Sequence, residues 1–320
     1  MDKVELYKTL ASRFGDFLLG ADPEFRLKGI KARTIVPFEG KFGADGPNSQ
    51  ICELRPDPKY TPDEMVKELE SILRSGWRMY PEARRTKWLA GSCPERLPIG
   101  GHIHFGIKLD GGRETLLDAL DKFLSPLILL LENEDEARER RRSDYGKLSF
   151  DYRGFDPKDY GFEYRGPASW LVSKQIARSV FAVAKTIGFE YMDNKSIEHS
   201  KILLSTINID TAFKEAYRNC NKIYFKALVP TIHRALRTMK MYKVFESDIN
   251  YLFALIYQGK DWSSDSDMVE RWGIGKAVCL TTTTDKKLKP FSFTISNLMN
   301  PEYRWVPNNN NEFVNRFFIP

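Results

Sequence analysis

Cysteine and long apolar runs are scarce in this 320-residue sequence. The four cysteines, Cys52, Cys93, Cys220 and Cys279, are far apart and form no CxxC pair, so we expect free thiols rather than a disulfide framework. The most apolar run, FLSPLILLLE, is about half as long as a membrane span requires. The segment MDKVELYKTLASRFG lacks the apolar stretch of a signal peptide. We therefore expect a cytoplasmic protein without a membrane segment.

Glycine-rich phosphate-binding motifs are also missing. The sequence contains neither GxxxxGK[ST] nor GxGxxG, so a nucleotide, if bound, is not held by a glycine-rich phosphate loop. The net charge of +6 suits anionic small molecules such as nucleotides, and it is only weak support for nucleic-acid binding, which we do not expect. Hydrophobic residues at 42% and charged residues at 29% indicate a globular chain with a substantial core.

Hydrophobic periodicity places strands mainly in the first half of the chain. Alternating or glycine-bounded segments predict strands in FLLGADPEFRL, TIVPFEGKFGADG, ICELRP, IGGHIHFGIKL and DYGFEYRGPASWL. A helix is predicted in VELYKTLASRF. Another begins at Thr61, in a capping box with Glu64, and ends at Gly76. A long helix over 112–140 is expected to kink at Pro126.

Helices dominate the second half. They are predicted in SKQIARSVFAVAKTIG and over most of 197–258, and FSFTISN and EFVNRFFIP are the remaining extended candidates. The predicted fold class is α+β, with a largely antiparallel sheet covered by helices. We expect one catalytic domain over 1–320, in which residues 1–190 carry the sheet and residues 191–320 form a mainly helical extension.

Acidic residues are depleted from strands, yet nearly every strand candidate carries one. Residues two apart lie on one face of a strand, and several such pairs are polar: Asp22 and Glu24, Glu53 and Arg55, His102 and His104, Glu163 and Arg165. Asp45 adds a carboxylate at a glycine-flanked turn. Carboxylates that share one concavity repel each other unless cations lie among them, so the pattern predicts hard divalent ions. Oxygen-rich ligation favours Mg²⁺ or Mn²⁺ over zinc.

Each pair also has an explanation that needs no shared site. A DPE turn is commonly solvated, strand histidines often only hydrogen-bond their neighbours, and ELRP and EYR can be surface ion pairs. The basic run ARERRRSDYGK at 137–147 is typical of a solvated helix face. The coincidence of four pairs in the strand-rich half favours a shared site. A metal-dependent nuclease or phosphodiesterase is one alternative, and a non-catalytic protein that binds metal or nucleotide is another.

Taken in order, these segments resemble a known family. LGADPEF, FGADG followed by ICELRP, GGHIHFG, and RRSDYGK…DYR…FEYRGPASWL are similar to motifs of the phage-type amidoligases. These belong to the carboxylate–amine ligase superfamily, which includes glutamine synthetase and glutamate–cysteine ligase. The matching segments span about residues 18–171, and the C-terminal half carries no matching motif. The resemblance implies a curved, mostly antiparallel sheet forming a glutamine-synthetase-like catalytic funnel with helices outside.

The resemblance also implies roles for individual residues. The ligands of two or more divalent ions would be Asp22, Glu24, Asp45, Glu53, His102 and Glu163. Glu24 would act in catalysis together with Arg165 and Arg153, and ATP would contact His104, Arg142, Lys147 and Arg55. Many relatives have two glutamates on the first strand, and the shorter Asp22 sets its carboxylate back by about one C–C bond. The glycines of GGHIHFG would let nucleotide phosphates approach the backbone.

The implied reaction is ATP-dependent, ADP-forming amide or peptide bond formation. A carboxylate is a poor acyl donor until phosphorylation turns it into an acyl phosphate, which an amine can attack. Phosphoryl transfer needs charge neutralisation and alignment, which two metals and nearby arginines supply. The expected partners are small-molecule or peptide carboxylates and amines, and the expected location is the cytoplasm, that of a bacterial host if the protein is phage-encoded. The sequence does not identify these substrates, the base that deprotonates the amine, or the oligomeric state.

Overall fold

The computed structural model describes residues 2–46, 49–109, 113–143, 145–151, 153–193, 207–262 and 266–275. Residues up to Gly275 group into one compact unit. Cys52, Cys93 and Cys220 are free and buried, as expected for reduced thiols. The predicted segments FSFTISN and EFVNRFFIP, residues 197–206 of the predicted helical stretch, and Cys279 lie outside the described residues.

Seven strands of the described residues form one sheet. Every strand pairing in the described part of the chain is antiparallel, with the order β2-β3-β1-β5-β7-β6 and β4 beside the end of β1. The strands are β1 Leu19–Leu27, β2 Phe42–Ala44, β3 Ile51–Leu54, β4 Trp88–Leu89, β5 Gly101–Phe105, β6 Phe155–Lys158 and β7 Gly161–Tyr164. The predicted antiparallel sheet is thus confirmed, with β1 at its centre.

Helices surround this sheet and dominate the chain after β7. They are α1 Lys3–Phe14, α2 Pro62–Met79, α3 Arg113–Phe123, α4 Ser125–Leu131, α5 Glu134–Arg142, α6 Lys174–Met192, α7 Thr211–Arg218, α8 Lys222–Thr238, α9 Tyr242–Tyr257 and α10 Met268–Trp272. In the portion of the chain that is described, none of them combines the length and apolarity needed to cross a bilayer. The mixed α and β composition agrees with the predicted fold class.

The start of α2 follows from its local sequence, and its end does not. Thr61 accepts a hydrogen bond from the Glu64 N–H, and the Glu64 side chain accepts one from the Thr61 N–H, which completes the predicted capping box. The predicted end at Gly76 is wrong, because the helix continues to Met79. Gly76 instead admits the Phe42 ring, since a Cβ at Gly76 would lie 2.2 Å from a ring carbon.

The predicted long helix over 112–140 is three helices, α3, α4 and α5. The first break falls at Leu124, two residues before the expected kink at Pro126, and Pro126 occupies the first turn of α4, where a proline needs no hydrogen-bond donor. A second break comes at Glu132 and Asn133. The Asn133 side chain accepts from the first-turn N–H groups of α5, so it begins a new helix.

One face of the sheet is apolar and packs on the core. Phe105 stacks on Phe162 with ring centroids 4.9 Å apart, and Phe25 stacks on Trp88 at 5.3 Å. Helix α6, which is buried along most of its length, lies at the centre of the helical layer and contacts α2, α3, α8 and α9. Each fully buried side chain of this kind contributes about 1.5–3 kcal/mol, so this face stabilises the sheet and leaves the other free for chemistry.

Candidate active site

The register of the sheet brings the predicted polar residues together. Glu24 pairs with Glu53, Asp22 with His102, and His104 with Glu163. Residues paired across antiparallel strands project to the same face, as do residues two apart along one strand. Six of the residues singled out from the sequence therefore share one surface, called here the polar face: Asp22, Glu24, Glu53, His102, His104 and Glu163.

His102 lies between two carboxylates on the polar face. Its Nδ1 is 3.3 Å from Asp22 Oδ1 and 3.1 Å from Glu163 Oε1, and its side chain is only 6% exposed. Burial alone would lower the pKa of His102, but the contacts with the two carboxylates outweigh it and raise that pKa to about 10. Without a metal ion, the two carboxylates favour the protonated form of His102. As a neutral imidazole, it could ligate a cation held by the same two carboxylates.

These contacts also change the pKa values of the carboxylates. Burial tends to raise the pKa of Asp22, but His102 and His104 hold it well below its ordinary range. Burial is likewise opposed at Glu163, where His102 is the main cause of a lowered pKa. Both carboxylates are therefore ionised at neutral pH and available as ligands.

The glycines before His102 accommodate protein atoms. A Cβ at Gly100 would lie 2.3 Å from His102 Nε2, and a Cβ at Gly101 would lie 2.5 Å from the Ala168 carbonyl oxygen and 2.6 Å from the Trp170 ring. The expected open approach for nucleotide phosphates at these two glycines is wrong, because the space is filled by protein. Gly100 leaves room for the His102 ring, and Gly101 leaves room for the Ala168 carbonyl and the Trp170 ring.

His104 faces Asp22 without an aligned hydrogen bond. His104 Nε2 is 3.1 Å from Asp22 Oδ1, yet both atoms are buried and lack a hydrogen-bond partner within the described residues. Asp22, His104 and Glu163 each offer one ligand atom, and the three atoms lie within 4.8 Å of one another. Buried polar atoms are normally satisfied. The residues present therefore fit a bound cation, which would satisfy both atoms.

Two further carboxylates are buried beside this group. Glu24 accepts a hydrogen bond from the Gly100 N–H at 2.6 Å, and Glu53 forms an ion pair with Arg55. Burial raises the pKa of Glu24 to about 7 and that of Glu53 to about 8. Such an accumulation of carboxylates is unfavourable unless protons or cations neutralise the negative charge. A divalent ion bound among them would supply that positive charge.

Asp45 lies in the same electrostatic surroundings. Burial raises its pKa, and the positive charges of His102, Arg55 and Arg165 oppose that rise. Arg55 also donates hydrogen bonds to the backbone carbonyls of the segment around β2, at Phe38, Gly40 and Ala44. Arg55 thus attaches this segment to Glu53, and its side chain remains one-third exposed.

Two partly exposed cations flank Glu163. Arg165 Nε is 3.1 Å from Glu163 Oε1, and Lys158 Nζ is 3.3 Å from Glu163 Oε2 and 2.6 Å from Asp156 Oδ2. Each cation is 33% exposed, so it can also reach a bound anion. Lys158 and Asp156 were not identified from the sequence, although their spacing of two residues carries the same signal as Glu163 and Arg165.

The cations predicted between 142 and 153 differ in their surroundings. Arg142 is 74% exposed at the end of α5, where it pairs with Glu139 at 3.5 Å. Lys147 is half-buried, and its Nζ donates to the Arg141 carbonyl at 3.4 Å. Glu139 and Arg141, the partners in these contacts, do not belong to the polar face, so the nucleotide-binding roles of Arg142 and Lys147 remain predictions.

Arg153 is placed near the polar face by its effect on Tyr145. Burial raises the Tyr145 pKa, Glu24 and Asp45 raise it further, and Arg165 and Arg153 oppose them. Tyr145 was not identified from the sequence, because a single tyrosine after a basic run has no distinguishing pattern. Arg153 is exposed and has a positive φ of 67°, a backbone conformation uncommon for residues other than glycine.

The basic run is only partly a solvated helix face. Arg140 is fully buried and donates to the carbonyls of Ile99 at 2.8 Å, Gly166 at 3.1 Å and Pro167 at 2.8 Å. Arg141 is buried in a bidentate ion pair with Glu132. The expectation of a solvated face is therefore wrong for these two arginines. Arg140 fixes the chain just before β5 and just after β7, the strands that carry the histidines and Glu163.

Tyr160, in the turn between β6 and β7, is a further residue that sequence reasoning missed. Its hydroxyl oxygen is 2.6 Å from His104 Nδ1, and the two rings are nearly parallel with centroids 5.9 Å apart. No spacing rule connects a turn tyrosine with a strand histidine 56 residues earlier. The contact appears only once β5 and β7 are paired.

Residues 19–274 match the sequence profile of the family described as "Phage phiEco32-like COOH.NH2 ligase-type 2". The matched range covers most of the chain and includes every residue of the polar face. The chain belongs to this family. The resemblance to the phage-type carboxylate–amine ligases is therefore confirmed.

No curated protein sequence matches the chain. Among solved structures, the chain is similar to a bifunctional glutathione synthetase from Pasteurella multocida, with 11% sequence identity and a TM-score of 0.37. The alignment covers 82% of this chain and 53% of the synthetase, so the chain spans about half the length of that enzyme. At this low similarity, the synthetase does not inform the role of any residue in this chain.

Proposed function

We propose that the chain is a carboxylate–amine ligase that couples cleavage of ATP to ADP with amide or peptide bond formation through an acyl phosphate. Family membership supports the joining of a carboxylate to an amine. The observation that supports the dependence on ATP and metal is the polar face. There, buried carboxylates and histidines converge, and two ligand atoms among the described residues lack hydrogen-bond partners. Phosphoryl transfer is a reaction for which such a face is suited, because it depends on charge neutralisation and alignment.

The polar face would hold two or more Mg²⁺ or Mn²⁺ ions. The proposed ligands are Asp22, Glu24, Asp45, Glu53, His102 and Glu163. The ions would neutralise phosphate oxygens and polarise the phosphorus towards attack. The carboxylate-rich donor set supports hard ions, because oxygen ligands suit Mg²⁺ and Mn²⁺ and each histidine adds only one nitrogen.

The chain's own cations would align the reacting groups. Arg165 lies next to Glu163 with its guanidinium one-third exposed, so it can donate to a phosphoryl or carboxylate oxygen while keeping its ion pair. Arg153 would provide a second positive charge in the same region. The nucleotide contacts are proposed to come from His104, Arg142, Lys147 and Arg55. Buried Glu24 would act in catalysis as a metal ligand and is expected to be essential.

We further propose that the sheet is one wall of a glutamine-synthetase-like catalytic funnel within a single domain, which acts in the cytoplasm. Residues 191–320 would complete this domain and influence the choice of substrate. Contacts of α7 support this role for the described portion. Arg218 pairs with Asp151 at 2.7 Å, and Lys214 Nζ lies 4.1 Å from the centroid of the Phe150 ring. Helix α7 thereby supports the segment that carries Tyr145, Lys147 and Arg153.

The test is an ADP-release screen of the full chain with Mg²⁺ or Mn²⁺. Panels of amino acids, polyamines and cell-wall peptides serve as carboxylate and amine donors. We expect ADP release only when both a carboxylate and an amine are present. Glu24→Gln should abolish it, and the matched control Glu246→Gln, on α9 and paired with Lys243, should retain it.

Near-normal ADP production by Glu24→Gln would overturn the metal assignment. Stabilisation of the fold by metal without ATP turnover would instead favour the non-catalytic alternative. Cleavage of phosphodiesters without any need for ATP would favour the nuclease. The ligase, the non-catalytic protein and the nuclease are thus distinguished by different readouts: ADP release, stabilisation by metal alone, and phosphodiester cleavage.

A further inference from the structure

We propose that Tyr160 is a positioning residue that fixes the tautomer of His104, so that His104 Nε2 serves as a metal ligand beside Asp22 and Glu163. This inference rests on the metal site of the proposed function and deepens it. It also changes the expected role of His104, which the family resemblance assigned to contact with ATP.

Tyr160 is well placed to hold one nitrogen of His104. Its hydroxyl oxygen is 2.6 Å from Nδ1, and the two rings stack with an interplanar angle of 6°. Tyr160 is 48% exposed, so its own hydroxyl proton can be donated to solvent while its oxygen accepts from Nδ1–H. The hydroxyl therefore needs no further protein partner in this arrangement.

The other nitrogen of His104 favours the same tautomer. A neutral imidazole has one N–H and one lone pair. If the proton were on Nε2, it would point into the polar face, yet the contact with Asp22 Oδ1 at 3.1 Å is not aligned as a hydrogen bond and leaves both atoms unsatisfied. With the proton on Nδ1, the Nε2 lone pair and Asp22 Oδ1 face each other. Two lone pairs that face each other at this distance repel, and a cation between them would remove the repulsion.

The distance between His104 Nε2 and Asp22 Oδ1 matches the distance between two neighbouring ligands of one metal ion. Magnesium binds its ligands at about 2.0–2.1 Å in an octahedron, so two ligands at right angles are about 3 Å apart. His104 Nε2 and Asp22 Oδ1 are 3.1 Å apart, and Glu163 offers a third atom within 4.8 Å of both. The geometry points to a common ion for the three side chains.

A group that holds the remote nitrogen of a ligating histidine contributes to metal affinity. Removing such a partner typically weakens metal binding by about 10- to 100-fold. Tyr160→Phe removes only the hydroxyl and keeps the ring that stacks on His104. Tyr251→Phe is the matched control, because Tyr251 is a partly exposed tyrosine on α9.

The experiment measures Mn²⁺ binding to the full chain without ATP, by the loss of the free-ion electron paramagnetic resonance signal. We expect Tyr160→Phe to weaken Mn²⁺ binding by about 10-fold or more, with the metal-free melting temperature unchanged, and Tyr251→Phe to have no effect. In a His104→Gln background, where an amide oxygen replaces Nε2, Tyr160→Phe should cause no further loss. Unchanged affinity in Tyr160→Phe, or an equal loss in both backgrounds, would overturn the proposal.

The tautomer can be observed directly, because the chain has only four histidines. Long-range ¹H–¹⁵N spectra of the Mg²⁺-loaded protein should show His104 with its proton on Nδ1. A proton on Nε2 would refute the proposal. Because both measurements omit ATP, normal ADP release together with unchanged Mn²⁺ affinity in Tyr160→Phe would refute this inference alone. Absence of ADP release from the wild type, with the expected Mn²⁺ results, would refute only the ligase function.

Discussion

Replacing Glu24 by glutamine should stabilise the metal-free protein at alkaline pH while abolishing its activity. Glu24 is fully buried, and its pKa is raised from an ordinary 4.5 to about 7 because burial penalises the carboxylate. Glutamine has nearly the same shape and no charge. The substitution therefore removes the electrostatic penalty together with the proposed ligand.

The sign and size of the effect follow from the two pKa values. Below pH 4.5 Glu24 is protonated in both the folded and the unfolded chain, and it adds nothing to the pH dependence. Between pH 4.5 and 7 the unfolded chain ionises first, so the free energy of unfolding falls, and above pH 7 the loss is constant at about 3 kcal/mol. The weaker hydrogen bond from Gly100 in the variant costs about 1 kcal/mol. The net gain at pH 8 is about 2 kcal/mol.

The assay is urea denaturation at pH 5 and pH 8, with EDTA or with saturating Mg²⁺. Without metal, Glu24→Gln should be more stable than the wild type at pH 8 and of similar stability at pH 5. With Mg²⁺ the wild type should gain the larger stabilisation, about 2.7 kcal/mol at a metal concentration 100 times the Kd, because it keeps its full ligand set. Glu246→Gln should change the free energy of unfolding by less than about 0.5 kcal/mol under every condition.

A variant less stable than the wild type at pH 8 in EDTA would refute this reasoning. It would mean that protein cations already neutralise Glu24, so that the carboxylate stabilises the fold without a metal ion. Equal stabilisation of both proteins by Mg²⁺ would separately remove Glu24 from the ligand set.

Three further outcomes follow from the contacts of individual residues. Glu53→Gln should abolish ADP release with an unchanged circular dichroism spectrum, and retained turnover would contradict its role as a ligand. Arg165→Ala should lower kcat by about 100- to 1000-fold without a change in melting temperature, since it removes one charge at the reacting group, and a loss below tenfold would argue against that role. Glu132→Ala should reduce the free energy of unfolding in urea by about 3–5 kcal/mol, because it leaves the Arg141 guanidinium buried without its counter-ion, and a near-neutral result would mean that water reaches this arginine.

The membership of the polar face could be predicted from local sequence, whereas its contacts could not. A spacing of two residues is enough to place Asp22 with Glu24, or His102 with His104, on one side of a strand. The pairing of Glu24 with Glu53 depends on the register of β1 and β3, which are separated in the sequence by a short 3₁₀ helix and by strand β2. Local patterns do not encode that register.

The basic run at 137–147 shows a second limit of prediction from sequence. Arg140 and Arg141 point into the protein and Arg142 points to solvent, although all three are identical in the sequence. A helix turns about 100° per residue, so its orientation decides which side chain is buried, and a run of like residues has no periodicity from which to infer that orientation. Burial of Arg140 becomes favourable only because three backbone carbonyls converge on it.

Because apolar and polar side chains alternate along the strands, the same strand register buries the core and assembles the polar face. A slip of β5 by one residue would turn Ile103 towards the carboxylates and bury both histidines among phenylalanines. The apolar core thus disfavours one-residue slips of the sheet, and such slips would also take the candidate site apart.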